Sequence, residues 1–169
     1  MRLFNLNHSS ESEAELVFMQ CCTSSNWSKQ MVSDRPYSGI AELKRAADDV
    51  WQHCSESDFL QAFEGHPKIG DVDSLREKYS NTKKLASGEQ RLVNQASEQI
   101  ILDLATGNAE YFEKFGFIFI VCATGKSARE MLSLLQQRLL NSRRIELGNA
   151  AEEQRKIFQI RLDKLLEDE

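Results

Sequence analysis

Proline is scarce in this chain: Pro36 and Pro67 are its only two copies, so long stretches are free to form uninterrupted helices. Strand-like alternation of apolar and polar residues is nearly absent, while helix-start signals recur. The 169 residues suit one domain, and at this length roughly 70% of the unfolded surface can be buried without disulfides or metals. We therefore predict an all-α fold, a single-domain bundle of about seven to nine helices over residues 1–169.

Basic clusters and long apolar runs are also lacking. Acidic residues outnumber basic ones by 26 to 21, and no run of Lys and Arg exceeds a dipeptide, which disfavours nucleic-acid binding. The longest apolar stretch, residues 115–123, is too short to cross a bilayer, and the first residues do not have the pattern of a secretory signal. We expect a cytoplasmic protein with no membrane partner.

Cysteine and histidine pairs with metal-site spacing are missing. Four cysteines are spread along the chain without a Cys-x-x-Cys motif: Cys21, Cys22, Cys54 and Cys122. We expect them to be free thiols. The three histidines are also far apart in sequence: His8, His53 and His66. No metal site is predicted.

Serines and apolar stripes mark the expected helices. Helix starts are predicted after the serines at positions 10, 24, 38, 55 and 127, and a last helix is predicted from about residue 143. A long helix should open near residue 87 and end at 106–108, followed by a further helix at about 109–115. The polar stretch 71–82 is predicted to be a mobile loop or lid, and 116–123 could be strand-like or a buried helix.

Residues 66–70, with the sequence His-Pro-Lys-Ile-Gly, place a histidine where the backbone is not expected to be helical. Pro67 disfavours the α conformation for the residue before it, and Gly65 and Gly70 flank the segment with flexible positions. An imidazole, whose ordinary pKa is ~6.5, can give or take a proton at neutral pH. The alternative is that the segment only ends a helix and His66 has no chemical role.

Glu89 and Gln90 lie at the expected opening of the long helix. Ser87-x-x-Gln90 has the form of a capping box, and a carboxylate in a first helical turn is electrostatically favoured, so a structural role would suffice. The functional alternative is that this turn presents a carboxylate, an amide and free backbone N–H groups to a small polar ligand.

Arg161 falls within the apolar arc of the last helix, between Phe158 and Leu162, and is predicted to face inward. A buried guanidinium keeps its charge and needs a carboxylate or several carbonyls as partners. That partner is either an internal Asp or Glu or the carboxylate of a substrate. Three other arginines show no such conflict with their neighbours and are expected to be solvated: Arg129, Arg138 and Arg143.

Four motifs in this order and spacing resemble the OHCU decarboxylase family: Gly65-His66-Pro67-Lys68-Ile69-Gly70, Ser87-Gly88-Glu89-Gln90, the stretch from Lys114 to Ala123, and Arg161-Leu162. The resemblance spans nearly the whole chain. It implies an all-helical, homodimeric carboxy-lyase that needs no cofactor. Such an enzyme converts the small molecule 2-oxo-4-hydroxy-4-carboxy-5-ureidoimidazoline (OHCU) to (S)-allantoin and carbon dioxide, the last step of urate oxidation.

The resemblance also implies roles for residues. His66 would be the proton donor, Glu89 a polar catalytic contact and Arg161 the active-site arginine. The substrate-binding residues would be Pro67, Ala86, Ser87, Gly88, Gln90, Phe119, Ile120, Val121, Cys122 and Ala123. The chain departs from the family's Ser-x-x-Glu-Gln motif, because Ala86 takes the serine's position and the serine falls at Ser87.

Two other functions fit parts of the pattern. In a non-enzymatic helical adaptor, the apolar stripes would form only core and interfaces; convergence of His66, Glu89 and Arg161 on one cleft would exclude this. A cofactor-free ring hydrolase of the same pathway would need an activated water in that cleft.

Overall fold

The fold consists of helices joined by short irregular segments. The structure, a computed structural model, describes residues 1–68, 70–79 and 87–166, except for the side chains of 87–96. The helices are α1 (Leu3–His8), α2 (Glu11–Cys21), α3 (Ser25–Ser33), α4 (Ile40–Gln52), α5 (Glu56–Glu64), α6 (Val72–Tyr79), α7 (Ser87–Phe115), α8 (Ala128–Leu139) and α9 (Arg143–Leu166). The described residues contain no strand, and the all-α prediction is confirmed.

Serine side chains begin four of the helices, as predicted. The hydroxyl groups that accept a backbone N–H from the first turn belong to Ser10, Ser24, Ser55 and Ser127. The prediction that Ser38 caps α4 is wrong. Gly39 holds the capping position, and the Ser38 N–H and hydroxyl instead donate to the Glu42 carboxylate at 2.6 Å each.

The prediction of a loop at 71–82 is wrong over 72–79, which form α6; residues 80–82 lie outside the described residues. Asp71 begins this helix, because its carboxylate accepts hydrogen bonds from the Ser74 N–H at 2.9 Å and the Ser74 hydroxyl at 2.7 Å. Leu75 is buried, and Arg76 forms an ion pair with Glu98 of α7. Tertiary contacts therefore stabilise this polar helix, and the spacing of its own apolar residues does not predict them.

The prediction that α7 ends at 106–108 is wrong, because Gly107 lies inside the helix. The separate helix expected at 109–115 is the last part of α7. A Cβ atom at position 107 would approach Cδ2 of Leu135 in α8 to 2.7 Å. Glycine at this position lets the two helices pack closely. Gly116, with a φ of 79°, follows α7, and the left-handed conformation is typical of a residue just after a helix.

Residues 116–123, between α7 and α8, form neither the strand-like piece nor the buried helix considered from the sequence. The segment is irregular, with Phe117 and Ile120 buried and the residues between them half-buried.

The chain divides into two compact units. The first comprises Met1–His66, Ile120–Cys122 and Leu147–Glu169. Its core contains two tryptophans whose indole N–H groups donate to helix carbonyls, Trp27 to Ala47 at 3.0 Å and Trp51 to Ala151 at 3.0 Å. Phe158 packs between them, with ring centroids 5.0 Å from Trp27 and 5.7 Å from Trp51. The expectation of a single domain over 1–169 stays a prediction.

The second unit comprises Pro67–Phe119 and Ala123–Glu146, and its core includes charged groups. Glu146 is 0% exposed, and it accepts hydrogen bonds from the Tyr111 hydroxyl at 2.6 Å and from Nε of Arg138. Arg138 also lies over the Phe119 ring, 4.7 Å from its centroid. The expectation that Arg138 is solvated is wrong, because the carboxylate that compensates it is on the following helix. Arg129 and Arg143 are exposed, as expected.

In the part of the chain that the structure describes, no helix combines the length and apolar character needed to cross a membrane.

Candidate active site

His66 lies just after the end of α5, as predicted. The backbone N–H of Gly65 donates to Ala62 at 3.3 Å, and that of His66 donates to Phe63 at 3.2 Å, so the helix closes in a tight last turn. The imidazole is half-buried rather than exposed on the surface. Its position is therefore set by the end of a helix, which is a rigid support for a reacting group.

Thr23 holds that end of α5 in place. Its hydroxyl lies 3.2 Å from the carbonyl oxygens of both Gln61 and Ala62, and donates to these carbonyls in the last turn of the helix. A Cβ atom at position 65 would come within 2.0 Å of the Thr23 hydroxyl oxygen. The φ of Gly65 is -72°, which any residue adopts. Glycine is thus required here by the close approach of Thr23.

Gln154 of α9 is the side chain that contacts the imidazole. Its Oε1 lies 2.5 Å from Nε2 of His66, and Gln154 itself is 0% exposed. Burial lowers the pKa of His66, the hydrogen bond to Gln154 raises it in part, and the positive charge of Arg161 lowers it further. The net shift is downward, so the ring is predominantly neutral at neutral pH.

Arg161, two turns further along α9, is half-buried as its inward-facing position predicts. Its Nη1 donates to the carbonyl of Cys21 at 3.1 Å, at the C-terminal end of α2, where a cation is electrostatically favoured. Among the described residues, no carboxylate pairs with Arg161. The internal carboxylate considered from the sequence is thus not found there. Within the described residues the guanidinium donates to the Cys21 carbonyl, and its other N–H groups can bind an anionic ligand.

Burial keeps two nearby cysteine thiols protonated. Burial raises the pKa of Cys21 to about 11 and that of Cys22 to about 12, so both thiols are protonated at neutral pH. All four cysteines are free thiols, as expected. Within the described residues, no three His, Cys, Asp or Glu side chains lie close enough together to hold a metal ion.

The other predicted site residues are distributed over both units. Pro67 is exposed, Phe119 and Ala123 are half-buried, and all three belong to the second unit. Ile120, Val121 and Cys122 belong to the first unit, together with His66 and Arg161. Ala86 lies outside the described residues. Ser87, Gly88, Glu89 and Gln90 begin α7, and their side chains lie outside the described part.

Gln154 is the site residue that the sequence analysis missed. It lies on the apolar arc of α9, near Ala150, Ala151 and Phe158, all of which are buried. The same conflict between a polar side chain and apolar neighbours drew attention to Arg161. A search for uncharged amides among apolar neighbours on a helix, in addition to charged side chains, would have found Gln154.

Comparison with known proteins gives consistent matches. The family model described as OHCU decarboxylase matches residues 7–163. An Arabidopsis thaliana protein named as a uric acid degradation bifunctional protein is 36% identical over 148 residues, or 88% of this chain and 46% of that protein. The chain thus spans less than half the length of this relative.

Two further matches are closer in length. The 2-oxo-4-hydroxy-4-carboxy-5-ureidoimidazoline decarboxylase of Halalkalicoccus jeotgali is 28% identical over 137 residues, covering 81% of this chain and 75% of that protein. A crystal structure of an OHCU decarboxylase in the presence of (S)-allantoin is similar with a TM-score of 0.72 and 34% identity, over 95% of this chain and 100% of that one.

Proposed function

We propose that this chain, which belongs to the OHCU decarboxylase family, converts OHCU to (S)-allantoin and carbon dioxide without a cofactor. The observation that carries the proposal is the pairing within the first unit of a neutral, half-buried imidazole and a guanidinium with no carboxylate partner among the described residues. These groups are an acid or base close to a cation that can bind a carboxylate or an oxyanion.

The substrate's name defines the electron flow. Its carboxylate and hydroxyl group are on the same ring carbon. When the bond to the carboxylate breaks, carbon dioxide leaves and the bonding electron pair moves toward the ring C=N bond, whose nitrogen takes a proton from solvent. The resulting enol loses its hydroxyl proton and gains a proton on the neighbouring carbon. These two transfers form the carbonyl group and the stereocentre of allantoin.

His66 suits both proton transfers. A neutral imidazole takes the hydroxyl proton, becomes an imidazolium, and then gives a proton to one face of the carbon, so the residue is the proton donor yet starts and ends neutral. Its lowered pKa favours giving the proton up again. General acid–base catalysis by one side chain typically contributes about 10²- to 10⁴-fold.

Arg161 would bind the substrate carboxylate or a ring oxygen. Glu89 would orient the imidazole or accept the hydroxyl proton in its place. Pro67 and the main chain of 119–123 would form contacts around the ring, as would residues 86–88 and Gln90. Family membership supports these assignments, and each is a proposal that mutagenesis can test one residue at a time.

The decisive experiment generates OHCU in place from urate with the upstream enzymes and follows the circular dichroism of allantoin. We expect His66→Gln to slow formation of the (S) enantiomer by about 10²-fold or more. Production of (S)-allantoin at the unchanged rate would exclude His66 as the proton donor.

His53→Gln is the matched control, because His53 is exposed at the end of α4 and its Nδ1 forms a hydrogen bond with the carbonyl of Asp49 at 2.7 Å, within its own helix end. It should leave the rate unchanged.

The amount of carbon dioxide released separates the candidate functions, and for a decarboxylase it must equal the amount of allantoin formed. Ring opening without release of carbon dioxide would indicate a hydrolase. No turnover at all would favour the non-enzymatic adaptor.

We also propose that the protein is a cytoplasmic homodimer. The family resemblance supports the dimer, and the acidic composition without a long apolar run supports the location. Light scattering coupled to gel filtration would give the mass directly, and a monomer at micromolar concentration would contradict the first part.

A further inference from the structure

We infer that Gln154 is a positioning residue: its amide oxygen keeps a proton on Nε2 of His66 and so leaves Nδ1 as the nitrogen that exchanges protons with the substrate. The inference rests on the proposed function, because it assigns a task to the atoms of His66 within that reaction. It also adds to the site a residue that lies outside the four sequence motifs.

The hydrogen-bond geometry defines the tautomer. The Gln154 carbonyl oxygen can only accept, so the 2.5 Å contact requires that Nε2 of His66 carries the hydrogen. A neutral imidazole has one N–H group, and Nδ1 is therefore a bare acceptor. None of the described residues forms a hydrogen bond to Nδ1. A proton from a substrate hydroxyl can be taken there without breaking any contact within the protein.

The burial of Gln154 argues against a purely structural role. The side chain is 0% exposed, and its Nε2 has no hydrogen-bond partner among the described residues. A buried amide with an unpaired donor destabilises a core relative to an apolar side chain of similar size. The bond to His66 is the one hydrogen bond this side chain makes within the described part of the chain, which indicates that Gln154 serves the imidazole rather than the fold.

An amide also suits the charge of the site. A carboxylate at this position would stabilise the imidazolium, whereas a neutral acceptor fixes the ring without adding charge. The positive charge whose field reaches His66 is that of Arg161, and it acts against protonation. The ring is thus oriented by a hydrogen bond while it stays neutral and ready to accept a proton.

The test uses two variants of the full chain, Gln154→Met and Gln154→Glu. Methionine has a similar volume, and its thioether sulfur is only a weak acceptor for the N–H at Nε2. We expect Gln154→Met to melt at an unchanged or higher temperature and to lose about 10-fold or more in kcat, with little change in KM. The ring ¹⁵N resonances of His66 should change from one tautomer to a mixture.

Glutamate can still accept from Nε2, so Gln154→Glu should keep the Nε2–H tautomer. It should also raise the pH midpoint of His66 protonation, and the acidic limb of the kcat profile should move up by the same amount. The matched control is Gln159→Met, since Gln159 is a half-buried amide on the same helix that donates to the Lys44 carbonyl at 2.9 Å. It should change neither kcat nor the His66 tautomer.

Unchanged kcat and an unchanged tautomer in Gln154→Met would overturn the inference. So would a fall in kcat that only accompanies a fall in melting temperature, with the His66 resonances unaltered in both variants. His66→Gln separates this failure from failure of the proposed function. If that variant still makes (S)-allantoin at full rate, the proposed function is wrong; if it is inactive while Gln154→Met is fully active, only the role of Gln154 is wrong.

Discussion

The pH dependence of the reaction follows from the surroundings of His66. Burial and the charge of Arg161 hold its pKa below the ordinary value of ~6.5. Above this lowered pKa the ring is neutral and can take the hydroxyl proton; below it the ring is protonated and cannot. We therefore expect kcat/KM to be constant from pH 7 upward and to fall on acidification, with a midpoint below pH ~6.5.

A pH–rate profile with excess upstream enzyme at each pH would measure this midpoint. The expectation fails if the rate falls as the pH is raised from 6 to 8. Such a fall would mean that the imidazolium is the form that starts the reaction.

Arg161 is expected to act on the substrate more than on the fold. Arg161→Lys keeps the charge but cannot hold the Cys21 carbonyl and a carboxylate in the planar arrangement of a guanidinium. We expect KM to rise by roughly 10-fold, which equals about 1.4 kcal/mol of binding free energy. The free energy of unfolding should fall by only about 1 kcal/mol, for one altered hydrogen bond. Initial rates and urea unfolding measure the two effects, and a collapsed fold would show that Arg161 is structural.

At this scale the sequence predicted where His66 and Arg161 lie but not what their surroundings do to them. The end of α5 is encoded locally by Pro67, and the inward position of Arg161 by helical periodicity. The lowered pKa of His66 depends on burial by residues far away in sequence, and Gln154 comes from another helix. Neither effect has a local signature.

Among the elements, Gly107 in α7 and Gly148 in α9 are expected to respond in opposite ways to alanine. Gly148 in α9 has nothing within 4 Å of the Cβ position, so Gly148→Ala should stabilise the fold by up to ~1 kcal/mol through helix propensity. Gly107→Ala would place its Cβ 2.7 Å from Cδ2 of the fully buried Leu135. We expect no gain from it, or a loss of about 1–3 kcal/mol from overpacking.

Thermal unfolding of both variants side by side tests this pair. Equal stabilisation by the two substitutions would contradict the close packing of α7 on α8.

The same pair explains which elements the sequence predicted. Capping boxes at Ser10, Ser55 and Ser127 act within four residues, and the helices they begin were all predicted. Gly107 was interpreted as a local helix end although its role is to admit a neighbouring helix. The α6 helix was missed because its support comes from other parts of the chain, through the burial of Leu75 and the ion pair of Arg76 with Glu98 of α7.

For the molecule as a whole, the buried carboxylate of Glu146 is expected to contribute strongly to the free energy of unfolding through its ion pair with Arg138. Its neutralisation in Glu146→Gln would remove the negative charge that pairs with Arg138 inside the second unit. We expect a loss of about 3–5 kcal/mol in the free energy of unfolding. The control is Asp163→Asn, which removes a solvent-accessible ion pair with Lys44 and should change stability by less than about 1 kcal/mol. Urea titrations of the two variants would compare them, and similar small losses would contradict the buried pair's importance.

Fold class could be predicted at this scale, since scarce proline, recurring helix-start signals and near-absent strand-like alternation favour an all-α fold. The division into two units could not, because the first unit joins segments from both ends of the chain with 120–122 from its middle. Such a division depends on which distant segments pack together, and single-sequence periodicity carries no information on that pairing.

The contact between Thr23 and Gly65 has a consequence for how the sequence can diversify. With 2.0 Å between the threonine oxygen and the Cβ position of residue 65, a larger residue at 65 becomes acceptable only after position 23 has lost bulk. Loss of the Thr23 hydroxyl in turn removes the donor that the carbonyls of Gln61 and Ala62 share. The two positions are therefore expected to be inherited as a pair, each restricting the substitutions that descendants of this chain can accept at the other.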